Sequence, residues 1–240
     1  MPTPEWLTER RLVNVIAGLS AVLLVITGSG LWQINRPRVI NWESQIAAFE
    51  AMDERNAPPE NSILFVGSSS IRRWEGIQKD FPSHPVIRRG IGGAHIDDVT
   101  VFAERIVLPY EPKMVLLYAG DNDLAFHRDP ALVLEDFKEF VREIRKELPR
   151  TRIGFISIKP SIARWPLVRK VRTANRLVRE YAETRPEISF IDVFSPMLDS
   201  DGKLKEIYFS DDGLHLSRKG YRLWRDVIRS EIPKEGEPAH

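Results

Sequence analysis

The chain has 240 residues, 42% hydrophobic and 29% charged, a balance that suits one globular domain with a sizeable buried core. Lys and Arg number 35 against 34 Asp and Glu, so the basic excess of a nucleic-acid module is missing and nucleic acid is not an expected partner. The absence of cysteine excludes disulfides, thiolate metal sites, a cysteine nucleophile and an acylated N-terminal cysteine.

From Leu12 to Asn35 no residue is charged, and residues 12–32 are mostly apolar. A helix over 12–32 would be about 32 Å long, enough to cross a hydrocarbon layer of ~30 Å. Trp32 stands where an interfacial aromatic belongs. Residues 1–35 are therefore expected to be an N-terminal transmembrane anchor, with the domain that follows exported to a periplasmic or extracellular space. A cleaved signal segment and a secreted form are the alternative, since Thr27, Gly28, Ser29 and Gly30 follow the apolar run. The run is longer than an h-region of ~7–15 residues and ends in no A-x-A-like site. Arg10 and Arg11 face Arg36 and Arg38 across it, which leaves the orientation open.

Residues 36–61 read as a tether with one helix. Trp42, Ile46, Phe49 and Met52 fall at helical spacing, and Ala57-Pro58-Pro59 ends the segment. Over residues 62–235 short apolar runs alternate with amphipathic helices. The runs are Ile63–Val66, Val86–Ile87, Val115–Tyr118, Ile153–Ile158 and Ile188–Val193, and their lack of strict alternation predicts strands buried on both faces. Asp129 and Pro130 read as N-cap and first residue of a helix with Leu134, Phe137, Val141, Ile144 and Leu148 on its inner side. Pro166 opens another, striped by Leu167, Val171, Ala174, Leu177 and Tyr181. Ser217 caps the last, with Tyr221, Trp224 and Ile228 inward. Strand–helix alternation predicts right-handed crossovers and an α/β sandwich built on a five-stranded parallel sheet.

In such sheets ligands bind beyond the carboxyl ends of the strands. Gly67-Ser68-Ser69-Ser70 follows the first strand, Gly90-Ile91-Gly92-Gly93 the second, and Gly120-Asp121-Asn122-Asp123 the third. Asp211-Asp212-Gly213-Leu214-His215 follows the fifth. A serine hydroxyl needs a base to take its proton, and the base needs an orienting acid. Asp212 and His215 are three residues apart, so one turn of chain sets them on one side. Either the carboxylate or the aspartate backbone then fixes the imidazole. Donors for an oxyanion are available from the Gly93 amide, the Asn122 side chain and the Ser69 amide near a helix start.

Taken together the stretches ILFVGSSSIRRW (63–74), RRGIGGAHIDDV (88–99), LLYAGDNDL (116–124) and SDDGLHLSRKGY (210–221) resemble the SGNH (GDSL-type) hydrolase family, whose four blocks carry Ser, Gly, Asn and His in that order. The resemblance implies a three-layer α/β/α flavodoxin-like sandwich. It implies Ser69, Asp212 and His215 as catalytic residues, and Ser69, Gly93 and Asn122 as the oxyanion hole. The expected activity is serine-dependent hydrolysis of a small ester, a lysolipid or an acetylated sugar through an acyl-enzyme, with no cofactor or metal. An acyltransferase using the same triad, or a catalytically silent binding protein on the same fold, is the alternative. Two positions depart from the family: Ser68 stands where its name-motif has Asp, and Ser70 where Leu is usual. Altered local hydrogen bonding is expected there.

Other residues read as structural. Asp97, Asp98, Asp121 and Asp123 are expected at helix starts and in a network holding Asn122, in preference to a metal cluster. Asp199-Ser200-Asp201-Gly202 reads as a turn. His84 and His127 are expected at the surface and His95 bordering the site. Trp74 and Phe126 are expected in the core, with Trp165 left open as a substrate contact.

Overall fold

A computed structural model describes residues 42–232. Five strands form one parallel sheet: β1 (Ile63–Gly67), β2 (Val86–Gly90), β3 (Met114–Tyr118), β4 (Arg152–Ile156) and β5 (Ile188–Ile191), in the spatial order β2-β1-β3-β4-β5. This is the flavodoxin-like order. Every residue of β1 and β3 is buried, which is why their sequences run apolar without alternation.

Helices cover both faces. On one, Ile63 and Phe65 of β1 and Met114, Leu116 and Tyr118 of β3 pack against α2 (Ser69–Arg72), α3 (Ile77–Asp80) and the C-terminal helix α9 (Arg218–Glu231). Trp74, Phe65, Phe81 and Trp224 meet there at ring separations of 5.1 to 6.0 Å. Each fully buried aromatic of this kind contributes about 1.5–3 kcal/mol. The opposite face carries α4 (Ile96–Val101), α5 (Ala103–Ile106), α6 (Asp121–Ala125), α7 (Pro130–Glu147) and α8 (Val168–Glu183), with Phe137 of α7 edge-on to Phe155 of β4 at 4.9 Å.

The helix starts follow their sequence signals. Asp129 accepts from the Ala131 amide at 2.8 Å, and Ser217 from the Gly220 amide at 3.2 Å. The inner faces are broader or turned. In α7, Val133 and Phe140 are buried while Leu134 and Leu148 are half-exposed. In α8, which begins at Val168 after a 3₁₀ turn holding Pro166, Asn175 and Val178 are buried and Leu177 and Tyr181 are not. Asn175 is inside because its amide bridges the Ile158 backbone, Oδ1 accepting at 2.8 Å and Nδ2 donating at 2.9 Å.

Upstream, α1 (Glu43–Arg55) belongs to the same compact unit as the sheet. The expected transmembrane segment, residues 12–32, lies outside the described residues. Among the described residues no helix is long and apolar enough to cross a membrane.

Candidate active site

The strand order reverses between β1 and β3, and β1 aligns Gly67 with Gly90 of β2 and Tyr118 of β3. The loops leaving these three strands therefore open side by side at one crevice. Gly67 has φ +138°, and a β-carbon there would stand 1.9 Å from the Tyr118 carbonyl oxygen, so only glycine lets the chain turn at this point. The Ser68 amide donates to that same oxygen at 2.8 Å, and the next residue, Ser69, begins α2. The Tyr221 hydroxyl on α9 donates to the Ser70 carbonyl at 2.9 Å and pins the turn from behind.

Asp212 and His215 come from a tight loop closed by Ser210 N–H to the His215 carbonyl at 2.9 Å. Asp212 Oδ2 lies 2.6 Å from His215 Nδ1, and His215 Nε2 lies 3.0 Å from Ser69 Oγ. The carboxylate thus meets the imidazole directly, which resolves the choice left open by spacing. Its other oxygen accepts from the Leu214 and His215 amides at 2.9 and 2.8 Å and from the Ser210 hydroxyl at 3.0 Å. Burial works against the charged form, but the bonds from His215, Leu214 and Ser210 outweigh it and hold the Asp212 carboxyl well below the usual carboxylate range.

Asn122 and Gly93 occupy the neighbouring loops. Asn122 Nδ2 donates to the Ala94 carbonyl at 3.0 Å, tying the β3 loop to the β2 loop beside Gly93. Its Oδ1 accepts from Arg164 Nη2 at 3.0 Å. An amide so fixed keeps its N–H₂ end toward the Gly93 loop, and one of its two hydrogens remains for a ligand. Arg164 Nη1 also reaches Asp121 at 3.2 Å, and the buried Lys159 ammonium lies 3.6 Å from the same carboxylate. Burial pushes Lys159 below the usual lysine range, opposed by Asp121. The Arg164 guanidinium thus sits on both Asp121 and Asn122, a cation close behind the Asn122 amide. Sequence reasoning did not assign Arg164; its place just past the end of β4 was the available signal.

Asp123 is fully buried. Its Oδ1 accepts from the Ile96 amide at 3.3 Å, while among the described residues Oδ2 has no partner. Burial pushes this carboxyl up to about 8. Ser68, the departure from the family motif, is buried with a hydroxyl that has no partner among the described residues, in line with altered hydrogen bonding there.

Asp97 and Asp98 stand in the first turn of α4, Asp98 accepting from the His95 amide at 2.9 Å and Asp97 pairing with Arg128 at 2.7 Å. Of the described residues, His95, Asp97 and Asp98 are close enough together to offer three metal ligands. Their bonds account for them as helix-start groups without one. The Asp199 carboxylate accepts from the Asp201 and Lys203 amides, which makes residues 199–202 a turn. His127 is exposed, whereas His84 is half-buried beside Lys113 and His95 is buried. Trp74 is core, but Phe126 is 59% exposed and packs on the His95 ring from outside, because α6 ends at Ala125 and turns its last residue outward. Trp165 is half-buried, on a small pocket with Asp121, Lys159 and Arg164.

Comparison with known proteins agrees with this fold. The profile of the GDSL-like Lipase/Acylhydrolase family matches residues 61–223, more than half of the chain. The chain is similar to platelet-activating factor acetylhydrolase IB subunit alpha1 of Rattus norvegicus, at 29% identity over 187 residues covering 75% of this chain and 77% of the relative. A GDSL-like lipase from Bacteroides thetaiotaomicron has a similar fold, with TM-score 0.67 and 19% identity over 78% of this chain and 96% of that one. A Clostridium thermocellum family 3 carbohydrate esterase is similar at TM-score 0.57 and 16% identity, covering 72% and 94%.

Proposed function

The chain belongs to the GDSL-like Lipase/Acylhydrolase family and is a hydrolase of the esterase class, and from that premise we propose that it cleaves small carboxylic esters through an acyl-enzyme on Ser69. The observation that carries this reading is the relay from Asp212 Oδ2 to His215 Nδ1 at 2.6 Å and from His215 Nε2 to Ser69 Oγ at 3.0 Å.

In the proposed reaction Ser69 Oγ attacks the ester carbonyl carbon while its proton passes to His215 Nε2. Asp212 holds the Nδ1 proton and stabilises the imidazolium. The oxyanion accepts from the Ser69 and Gly93 amides and the Asn122 side chain. Collapse breaks the bond to the alcohol oxygen, which takes the proton from His215. Water, deprotonated by the same imidazole, then releases the acid and restores Ser69. One relative is named an acetylhydrolase, which supports a short acyl group, and a structural neighbour is named a carbohydrate esterase. A small ester, a lysolipid or an acetylated sugar fits this chemistry.

The catalytic domain is proposed to be exported and held at a membrane by residues 12–32. The uncharged run from Leu12 to Asn35 supports this, and alkaline carbonate extraction of membranes tests it, since a spanning chain stays in the pellet.

Labelling with a fluorophosphonate, read by intact mass on the full chain, tests the mechanism. One adduct on wild type and none on Ser69→Ala is expected. No adduct on either folded protein would favour a silent scaffold.

A further inference from the structure

The wall beside the oxyanion loop does not come from the part of the chain that matches the family. It comes from α1, which ends before residue 61, where that match begins. Trp42 is the N-cap residue of α1, its carbonyl accepting from the Gln45 and Ile46 amides at 2.9 and 3.1 Å. The Cη2 edge of its indole lies 3.4 Å from where a β-carbon on Gly93 would stand. One turn on, Gln45 Oε1 accepts from the Gly92 amide at 3.3 Å. Gly93 itself has φ +80° and no side chain, so the space on its α-carbon is filled by a ring from elsewhere in the chain.

The ring is held in place. Ile46 is fully buried beneath the first turn, and Arg105 grips Glu50 at 2.6 Å and Glu43 at 2.9 Å. Asp53 at the far end pairs with the buried Arg89. A helix fastened at both ends cannot slide away from Gly93 without breaking these pairs. The Trp42 indole nitrogen is buried and has no acceptor among the described residues.

We propose that Trp42 is the wall that limits the acyl group, restricting the enzyme to short-acyl, acetyl-type esters. This rests on the ester-hydrolase reading above. An ester oxygen held by the Gly93 amide sits about 2.9 Å from that nitrogen, and the acyl α-carbon is only roughly 2.4 Å from the oxygen. On this proposal the carbons further along the acyl chain run toward the edge of the indole beside Gly93, and a long chain collides with it.

The test is the chain-length profile of the full-length protein with p-nitrophenyl acetate, butyrate and octanoate. Wild type is expected to prefer acetate. In Trp42→Ala the octanoate-to-acetate ratio of kcat/KM should rise about tenfold or more, the scale on which hydrophobic pockets discriminate chain length. Trp42→Leu should shift it the same way by less, and serves if the alanine variant does not fold. Trp42→Phe keeps a ring and should keep the acetate preference. Calorimetry on each variant separates a lost wall from a lost fold. An unchanged ratio in folded Trp42→Ala or Trp42→Leu, or a wild type indifferent to chain length, would overturn the proposal while leaving Ser69 labelling intact. Loss of turnover with every ester and of the Ser69 adduct would overturn the hydrolase reading, and the wall with it.

Discussion

The guanidinium of Arg164 donates to Oδ1 of Asn122 at 3.0 Å and, with the Nδ2 bond to the Ala94 carbonyl, fixes which end of the amide faces the loop that carries Gly93. Without the arginine only the bond to the Ala94 carbonyl holds the amide, and its hold on the N–H₂ end is weaker. Arg164→Met is therefore expected to lower kcat about tenfold with little change in KM, because the contact matters most in the transition state. Asn122→Ala is expected to cost roughly 10²–10³-fold. Once the amide is gone the arginine has nothing left to orient, so steady-state kinetics of the double variant should match those of Asn122→Ala. Additive losses would show that Arg164 acts elsewhere.

Asp212 is held well below the usual carboxylate range by the bonds from His215, Leu214 and Ser210, against the effect of burial. It therefore stays ionised throughout the pH range in which the protein can be assayed, and the imidazole keeps its counter-charge across that range. Asp212→Asn leaves the imidazole without its carboxylate and should lower kcat by about 10³–10⁴-fold. Steady-state kinetics showing Asp212→Asn at the wild-type rate would contradict the assignment.

Asp123 sets a pH dependence of stability. Its carboxyl is pushed up to about 8 in the fold by burial, against about 3.9 in an unfolded chain. Between those values the folded protein binds one more proton than the unfolded chain. The group's contribution to stability is thus full below about pH 4 and is lost as pH rises toward 8. Asp123→Asn carries no such proton. Urea denaturation at pH 5 and pH 8.5 should show wild type losing stability relative to the variant at the higher pH, and parallel behaviour would refute it.

The Asp53–Arg89 pair fastens the end of α1. The Arg89 side chain is only 6% exposed, and its Nε also donates to the Tyr110 hydroxyl at 2.7 Å. Removing the carboxylate leaves a buried guanidinium without a counter-charge, so Asp53→Ala is expected to cost about 3 kcal/mol. Asp53→Leu combined with Arg89→Leu should cost less than Asp53→Ala alone, as chemical denaturation of the three proteins would show. A double variant worse than Asp53→Ala would mean that packing around the pair, not its charge, holds α1 down.

The sequence by itself determined the sheet and the hydrolase family. All five strands were legible because a parallel strand buried on both faces needs an unbroken apolar run, and that requirement is local. That Ser69, Asp212 and His215 meet, with Asn122 tied to the loop of Gly93, was legible as a juxtaposition because loops at the carboxyl ends of such strands converge. Only the tertiary structure decided what surrounds them. Arg164 behind Asn122, Trp42 against Gly93, and Asn175 buried to bridge Ile158 depend on contacts between elements distant in sequence, which no spacing encodes. Phe126 shows the same divide from the other side: an aromatic residue near apolar neighbours reads as core, yet the end of a short helix turned it to solvent. Periodicity reports which face of an element is apolar. The packing of one element on another decides which polar group meets which, and that is where this site's fine geometry is set.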